Sequence, residues 1–161
     1  MNKTDMNANT GALADVKELA LFQIGDALYG IDIHHIQEIN KNLAFSRAYN
    51  SADYIKGILN LRGQIVTVID LRVKFGFASR AMDAGSRVII VKFKGESIGL
   101  LVDNIEDIVE IDSSQLERST VRKGGVDSRF FAGVYKLARK LVIILDIEAI
   151  LDDEAATTAV A

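Results

Sequence analysis

The chain has 161 residues, 49% of them hydrophobic and 25% charged, which supports a real core in one domain or two fused lobes. Lys and Arg number 19 against 22 Asp and Glu, a net charge of −3 that offers no electrostatic footprint for a polyphosphate partner. With no cysteine, disulfides, thiolate zinc sites and thiol catalysis are excluded. No apolar stretch reaches the length of about 18 residues that crosses a bilayer, and Met1 to Thr10 lacks the apolar centre of a signal peptide, so the chain reads as cytoplasmic. Proline is absent where average usage predicts roughly eight, so every tight turn must use Gly, Asn, Asp or Ser.

Residues 1–18 are small and polar and predict a flexible tail. Leu19–Ile24 and Ala27–Ile31 read as two strands about the Gly25-Asp26 turn. Asp32 is placed to cap a short helix on which Ile33, Ile36 and Ile39 recur every three residues, ending near Asn40. The central stretch, Tyr54 to Gly76, holds a strand at Gly57–Leu61, a turn at Arg62-Gly63, and an apolar run from Ile65 to Leu71 broken only by Thr67 and Asp70. Asp70 then caps a short helix that Gly76 stops. After a polar linker to Ser86, strands are expected at Val88–Phe93 and Ile98–Val102, and a further short one at Val109–Ile111. Ile105 and Ile108 stand three apart ahead of it. Asp112 to Ser128 is polar, with a turn of helix at Ser113–Glu117 and a mobile Lys123-Gly124-Gly125. Strands at Phe130–Leu137 and Leu141–Leu145 follow, Asp146 caps Ile147–Leu151, and 152–161 is a second flexible tail.

The pattern occurs twice. Tyr29-Gly30-Ile31 with Ile33, Ile36 and Ile39 matches Ile98-Gly99-Leu100 with Val102, Ile105 and Ile108 at an offset of 69. Gly57-Ile58-x-x-Leu61 and Ile65 to Leu71 match Gly133-Val134-x-x-Leu137 and Leu141 to Ile147 at an offset of 76. Aligned glycines and capping aspartates argue for duplication, with units of roughly 19–76 and 86–151. Short strands without long helices point to an all-β fold with a few short helices. Two small barrels sharing one hydrophobic core would remove exposed strand edges, and strands can exchange between the lobes.

No catalytic set emerges. His35 and Glu38, three apart, lack a third metal ligand; there is no phosphate-cradling GxxxxGK[ST] and no G-x-S-x-G elbow. Asp70, Asp103 and Asp146 stand at strand ends, where capping explains them. What remains is surface chemistry. Arg62 on its hairpin tip can anchor a partner carboxylate, and Ile33, Ile36, Ile105 and Ile108 occupy equivalent places that either line a groove for a partner helix or simply pack the core. An SH3-like regulatory or dimerisation module, and a receiver domain with Asp70 as phosphoacceptor, are the alternative readings; the second needs five long helices, which the sequence lacks.

The segments FQIGDALYGIDIHHIQEI, YIKGILNLRGQIVTVIDLRVKFG, SIGLLVDNIEDIVEI and GVYKLARKLVIILDIEAIL closely resemble the CheW family of bacterial chemotaxis coupling proteins, from about Leu19 to Leu151. The resemblance implies two SH3-like five-stranded barrels around a shared core, no catalysis and no cofactor or metal. It implies a scaffold that bridges the regulatory domain of the CheA histidine kinase to the cytoplasmic tip of methyl-accepting chemoreceptors in membrane-associated arrays. Carried over by position, Ile36, Glu38, Gly57 and Arg62 fall in segments tied to partner binding, and Gly99, Val102, Ile105 and Ile108 in the counterpart of the second lobe. The family usually has a proline where Thr67 stands and others near 45–52 and 113–121; Thr67 restores a backbone donor and suits a strand.

Overall fold

Alternation of apolar residues through nearly every predicted strand lets each strand present one face to one core and the other face to a second, and the chain uses both. The computed structural model describes residues 16–41, 43–49, 51–118 and 126–152; of the tails expected at 1–18 and 152–161, residues 1–15 and 153–161 lie outside the described residues, as does the Lys123-Gly124-Gly125 stretch. Ten strands are described: β1 (Val16–Ile24), β2 (Ala27–Asp32), β3 (Ile36–Asn40), β4 (Ile55–Leu61), β5 (Gln64–Asp70), β6 (Arg87–Phe93), β7 (Glu96–Val102), β8 (Asn104–Asp112), β9 (Phe131–Leu137) and β10 (Lys140–Leu145). Two short helices, α1 (Leu71–Lys74) and α2 (Ile147–Leu151), follow β5 and β10. Asp70 and Asp146 cap them, accepting from Arg72 N at 3.0 Å and Ala149 N at 3.1 Å.

The strands form two five-stranded sheets, ordered β8-β1-β2-β10-β9 and β3-β6-β7-β5-β4. Counting β1 to β5 and β6 to β10 as the two copies, both sheets have the order third, first, second, fifth, fourth. Each sheet takes its first and second strands from one copy and the other three from the other copy. The sequence repeats are therefore not the lobes; the strands have exchanged. Parallel pairing makes one of the joins in each sheet, Tyr29 with Ile143 and Val68 with Gly99. Thr67, in place of the expected proline, is buried and paired on both sides, with Ile58 and Ile98.

Both sheets curl until their edges meet. The segment after β3 crosses to β4, where Ser46 and Ile58 exchange backbone bonds of 2.8 and 2.7 Å, and the segment after β8 crosses to β9 through Glu117 and Val134 at 2.9 and 2.8 Å. Glycine permits both crossings. A Cβ on Gly57 would stand 2.4 Å from the Ser46 carbonyl oxygen, and one on Gly133 would stand 3.1 Å from that of Glu117. Gly57→Ala is expected to lower stability by about 2–3 kcal/mol in urea unfolding, since backbone must move, and Gly133→Ala by about half as much.

Three cores result. Leu59, Leu61, Val66, Val68, Val88, Ile90 and Leu101 fill one barrel, and Leu19, Leu21, Leu28, Ile111, Val142 and Ile144 fill the other. The opposite faces of the same strands, including Phe22, Tyr29, Ile69, Ile89, Leu100 and Ile143, meet with Phe75 and Phe130 in a shared core between the barrels. Tyr29 stacks on Phe22 at 5.9 Å and meets Phe75 at 5.6 Å, and its hydroxyl has no hydrogen-bond partner among the described residues. Burial pushes that phenol up to about 12, against the attraction of Arg72. A folded value above the unfolded one of about 10 means that the stability tied to the neutral phenol is intact below pH 10 and is lost as pH rises toward 12. Tyr29→Phe should reduce the loss in urea stability between pH 8 and pH 11 by about 1 kcal/mol.

The helix expected from Asp32 to Asn40 is not there. Asp32 does cap, accepting from His34 N at 2.9 Å, but the turn it caps is a single 3-10 turn, Ile33–His35, after which the chain extends as β3. Three-residue spacing of β-branched isoleucines fits a helix, yet β3 pairs with β6 and alternates half-buried Ile36 and Glu38 with exposed Gln37 and Ile39. The short strand expected at Val109–Ile111 is longer, since β8 is one nine-residue strand that takes in Ile105 and Ile108 as well. β1 also begins at Val16, three residues earlier than expected, because Val16 to Glu18 pair with Asp112 to Glu110 of β8.

Candidate partner-binding site

Arg62 occupies the first turn position between β4 and β5. The turn is a two-residue hairpin with φ of 52° at Arg62 and 84° at Gly63, and Asn60 Oδ1 accepts from Gly63 N at 2.9 Å, so the N-L-R-G run makes its own staple. Left-handed backbone recurs at Lys94 and Ala138 in other hairpin turns, so that conformation belongs to the architecture and not to arginine. The side chain is what distinguishes Arg62. Its Nη2 donates to Glu38 Oε1 at 2.5 Å, joining the β4–β5 hairpin to β3, the opposite edge strand of the same sheet. The carboxylate holds the proton on Arg62 more firmly through that hydrogen bond and its charge. Glu38 is 28% exposed and Arg62 67%, so the pair orders an exposed guanidinium more than it stabilises the fold.

Two of the sequence candidates are thus in contact. Ile36 and Ile105, equivalent by the repeat, are half-buried against the shared core from edge strands of different sheets. Ile33 is half-buried in the 3-10 turn between β2 and β3, and Ile108 is exposed on β8. Gly57, Gly99 and Val102 are buried: Gly57 lies under the Ser46 backbone and Phe45 Cβ, a Cβ on Gly99 would meet Val88 Cγ1 at 2.7 Å, and Val102 is in the shared core. Those three can influence a partner only by positioning what surrounds them.

Exposed apolar residues other than the candidate Ile108 escaped the sequence reading. Ile39 is 38% exposed, Ile65 53%, Ile108 54% and Leu141 43%. They are two repeat pairs, Ile39 with Ile108 and Ile65 with Leu141, so the duplication was the signal that could have found them. Ile65 sits next to the Arg62 turn, where β5 has not yet entered the barrel, and Gln64 beside it is exposed as well.

A second polar site also went unread. Arg72 of α1 pairs with Asp103, which joins β7 to β8, and the side chains are only 16% and 15% exposed. Asp103 Oδ2 also accepts from Gly25 N at 2.7 Å in the β1–β2 turn and lies 3.7 Å from Arg80 Nη1. Asp103 N donates to the Gln23 carbonyl at 3.0 Å. One carboxylate therefore ties together the first barrel's β1–β2 turn, α1 and the linker, at the point where the chain passes from one barrel to the other. Asp70, by contrast, is buried and acts as a cap; burial raises its pKa, partly offset by the N–H groups of Arg72 and Val73. Among the described residues no three His, Asp or Glu converge as a metal set, and no helix is long and apolar enough to cross a membrane.

The family model of the CheW-like domain matches residues 18–155. The chain is 34% identical over 138 residues to the chemotaxis protein CheW of Klebsiella aerogenes, covering 86% of this chain and 83% of that protein. It is 25% identical over 151 residues to the chemotaxis protein CheW of Bacillus subtilis, covering 94% and 97%. The crystal structure of the scaffolding protein TtCheW from Thermoanaerobacter tengcongensis matches with a TM-score of 0.78 and 33% identity, covering 84% of this chain and 87% of that one. With its two exchanged barrels and a family match over residues 18–155, the chain belongs to the CheW-like family of chemotaxis scaffold proteins.

Proposed function

We propose that this protein is a non-enzymatic coupling scaffold that holds the regulatory domain of a CheA-type histidine kinase and the cytoplasmic tip of a chemoreceptor in one geometry, in the cytoplasm at membrane-associated arrays. The observation that carries the reading is the ordered Arg62 guanidinium, fixed by Glu38 on a hairpin whose next strand exposes Ile65, within a family of chemotaxis scaffolds. An aligned arginine beside an exposed isoleucine has the make-up of a protein-docking hot spot. Glu38, Arg62, Ile36, Ile105 and Ile108 are the proposed contacts, while Ile33, Gly57, Gly99 and Val102 act as their supports.

Arg62→Glu should weaken binding to the kinase regulatory domain or to a receptor tip fragment at least about tenfold in a pull-down or calorimetric titration, the scale of a hot-spot truncation. Combining it with Glu38→Arg restores the ion pair in reverse. If a partner reads the guanidinium itself, the double variant folds normally and still binds poorly. Unchanged binding to both partners in Arg62→Glu would remove the site assignment.

A further inference from the structure

Two hairpins of the molecule turn the chain in the same way. Arg62-Gly63 between β4 and β5 has φ of 52° and 84°, and Lys94-Gly95 between β6 and β7 has φ of 51° and 81°. In both, the residues that flank the turn pair directly, Leu61 with Gln64 and Phe93 with Glu96. They differ two positions before the turn, where Asn60 stands in one and Lys92 in the other. A lysine side chain carries donors only, so Lys92 cannot accept from the Gly95 amide, and that turn forms without a staple from this position. Asn60 Oδ1, by contrast, accepts from Gly63 N at 2.9 Å. The same turn therefore closes in this molecule without an asparagine.

Nor does β4 gain from asparagine as a strand residue. Asparagine is depleted in strands. Here it is exposed and stands directly opposite the exposed Ile65, where a β-branched or aromatic neighbour would cover more of that side chain. Asn60 thus sits at the one hairpin that carries Arg62, and neither the turn nor the strand accounts for it. Building on the Arg62 docking site proposed above, we propose that Asn60 is its positioning residue: the staple holds the turn in the geometry in which Arg62 meets Glu38 and Ile65 stands beside them. An L-residue with φ near 50° is disfavoured, so an unstapled Arg62 turn spends part of its time in other conformers. A partner that reads the ordered turn then binds more weakly in proportion to the ordered fraction.

Amide hydrogen exchange and partner titration on the full chain test this together. Corrected for sequence, the Gly63 amide of the unmodified protein should exchange at least about fivefold more slowly than that of Gly95. Asn60→Ala should erase the difference and weaken binding of a kinase regulatory domain or receptor tip fragment by about threefold to tenfold, with the urea midpoint nearly unchanged. Asn60→Asp keeps an acceptor in the same place and should restore both protection and affinity. Equal exchange at Gly63 and Gly95 in the unmodified protein would overturn the proposal, as would full affinity in Asn60→Ala after Gly63 has lost its protection. Affinity that stays low in Asn60→Asp while Gly63 is protected would make Asn60 a direct contact, and a fall in urea midpoint large enough to explain the lost affinity would make it structural; either overturns the positioning role. In all of these Arg62→Glu can still weaken binding, so the docking site stands while its staple falls, whereas an unmodified protein that binds neither partner removes both.

Discussion

Asp103→Ala is expected to lower the stability of this protein by about 3–5 kcal/mol, a large share of the total for a domain of this size. The reason lies in what the carboxylate leaves behind. Arg72 is 16% exposed, so its guanidinium would remain in the seam without its paired carboxylate, and Gly25 N would lose its acceptor. Arg72 Nε already has no hydrogen-bond partner among the described residues, so little would compensate. Asp103→Asn keeps an acceptor for Gly25 N and should cost less, while the double variant Asp103→Leu with Arg72→Met removes both charges and should recover most of the loss. Arg62→Ala, which breaks an exposed pair, should cost under about 1 kcal/mol. Urea unfolding of the four variants at one pH orders them. If Asp103→Ala and Arg62→Ala cost the same, the seam is not as dry as the geometry requires.

Cutting the chain in the linker between Phe77 and Ser86 should give two fragments that are each largely unfolded alone and that regain a native spectrum only when mixed. Each sheet needs strands from both copies: β1 and β2 find their partners in β8 and β10, and β6 and β7 find theirs in β3 and β5. A lone fragment would expose the inner faces of Phe22, Tyr29 and Ile31, or of Ile89, Leu100 and Ile143, all drawn from the shared core. Circular dichroism of each fragment and of an equimolar mixture decides it. Two independently folded fragments would show that the sequence repeats are themselves the lobes.

Local chemistry was legible in the sequence. Glycine turns, aspartate caps and alternating apolar residues placed every strand that belongs to a hairpin, and the paired offsets exposed the duplication. The exchange of strands was not legible, since aligned repeats look the same whether β2 takes its second neighbour from its own copy or from β10, whose paired residues lie 114 positions further along the chain. Spacing at Ile33, Ile36 and Ile39 satisfied a helix, and only pairing with β6 decided for a strand. Arg72 and Asp103 are 31 residues apart, with no periodicity to connect them. Ile65 read as the start of a buried run because a strand pattern does not record where a hairpin leaves its barrel. Arg62 and Glu38 were both singled out, yet their contact depends on the curl of the sheet, which brings β3 round to the far hairpin.

The central claim is that one molecule holds two partners at once. Sedimentation velocity of this chain with a CheA regulatory domain and a receptor tip fragment, first in pairs and then together, tests it most directly. A three-component boundary that is lost in Arg62→Glu is the expected result; mutual exclusion of the two partners, or no association with either, would contradict the account.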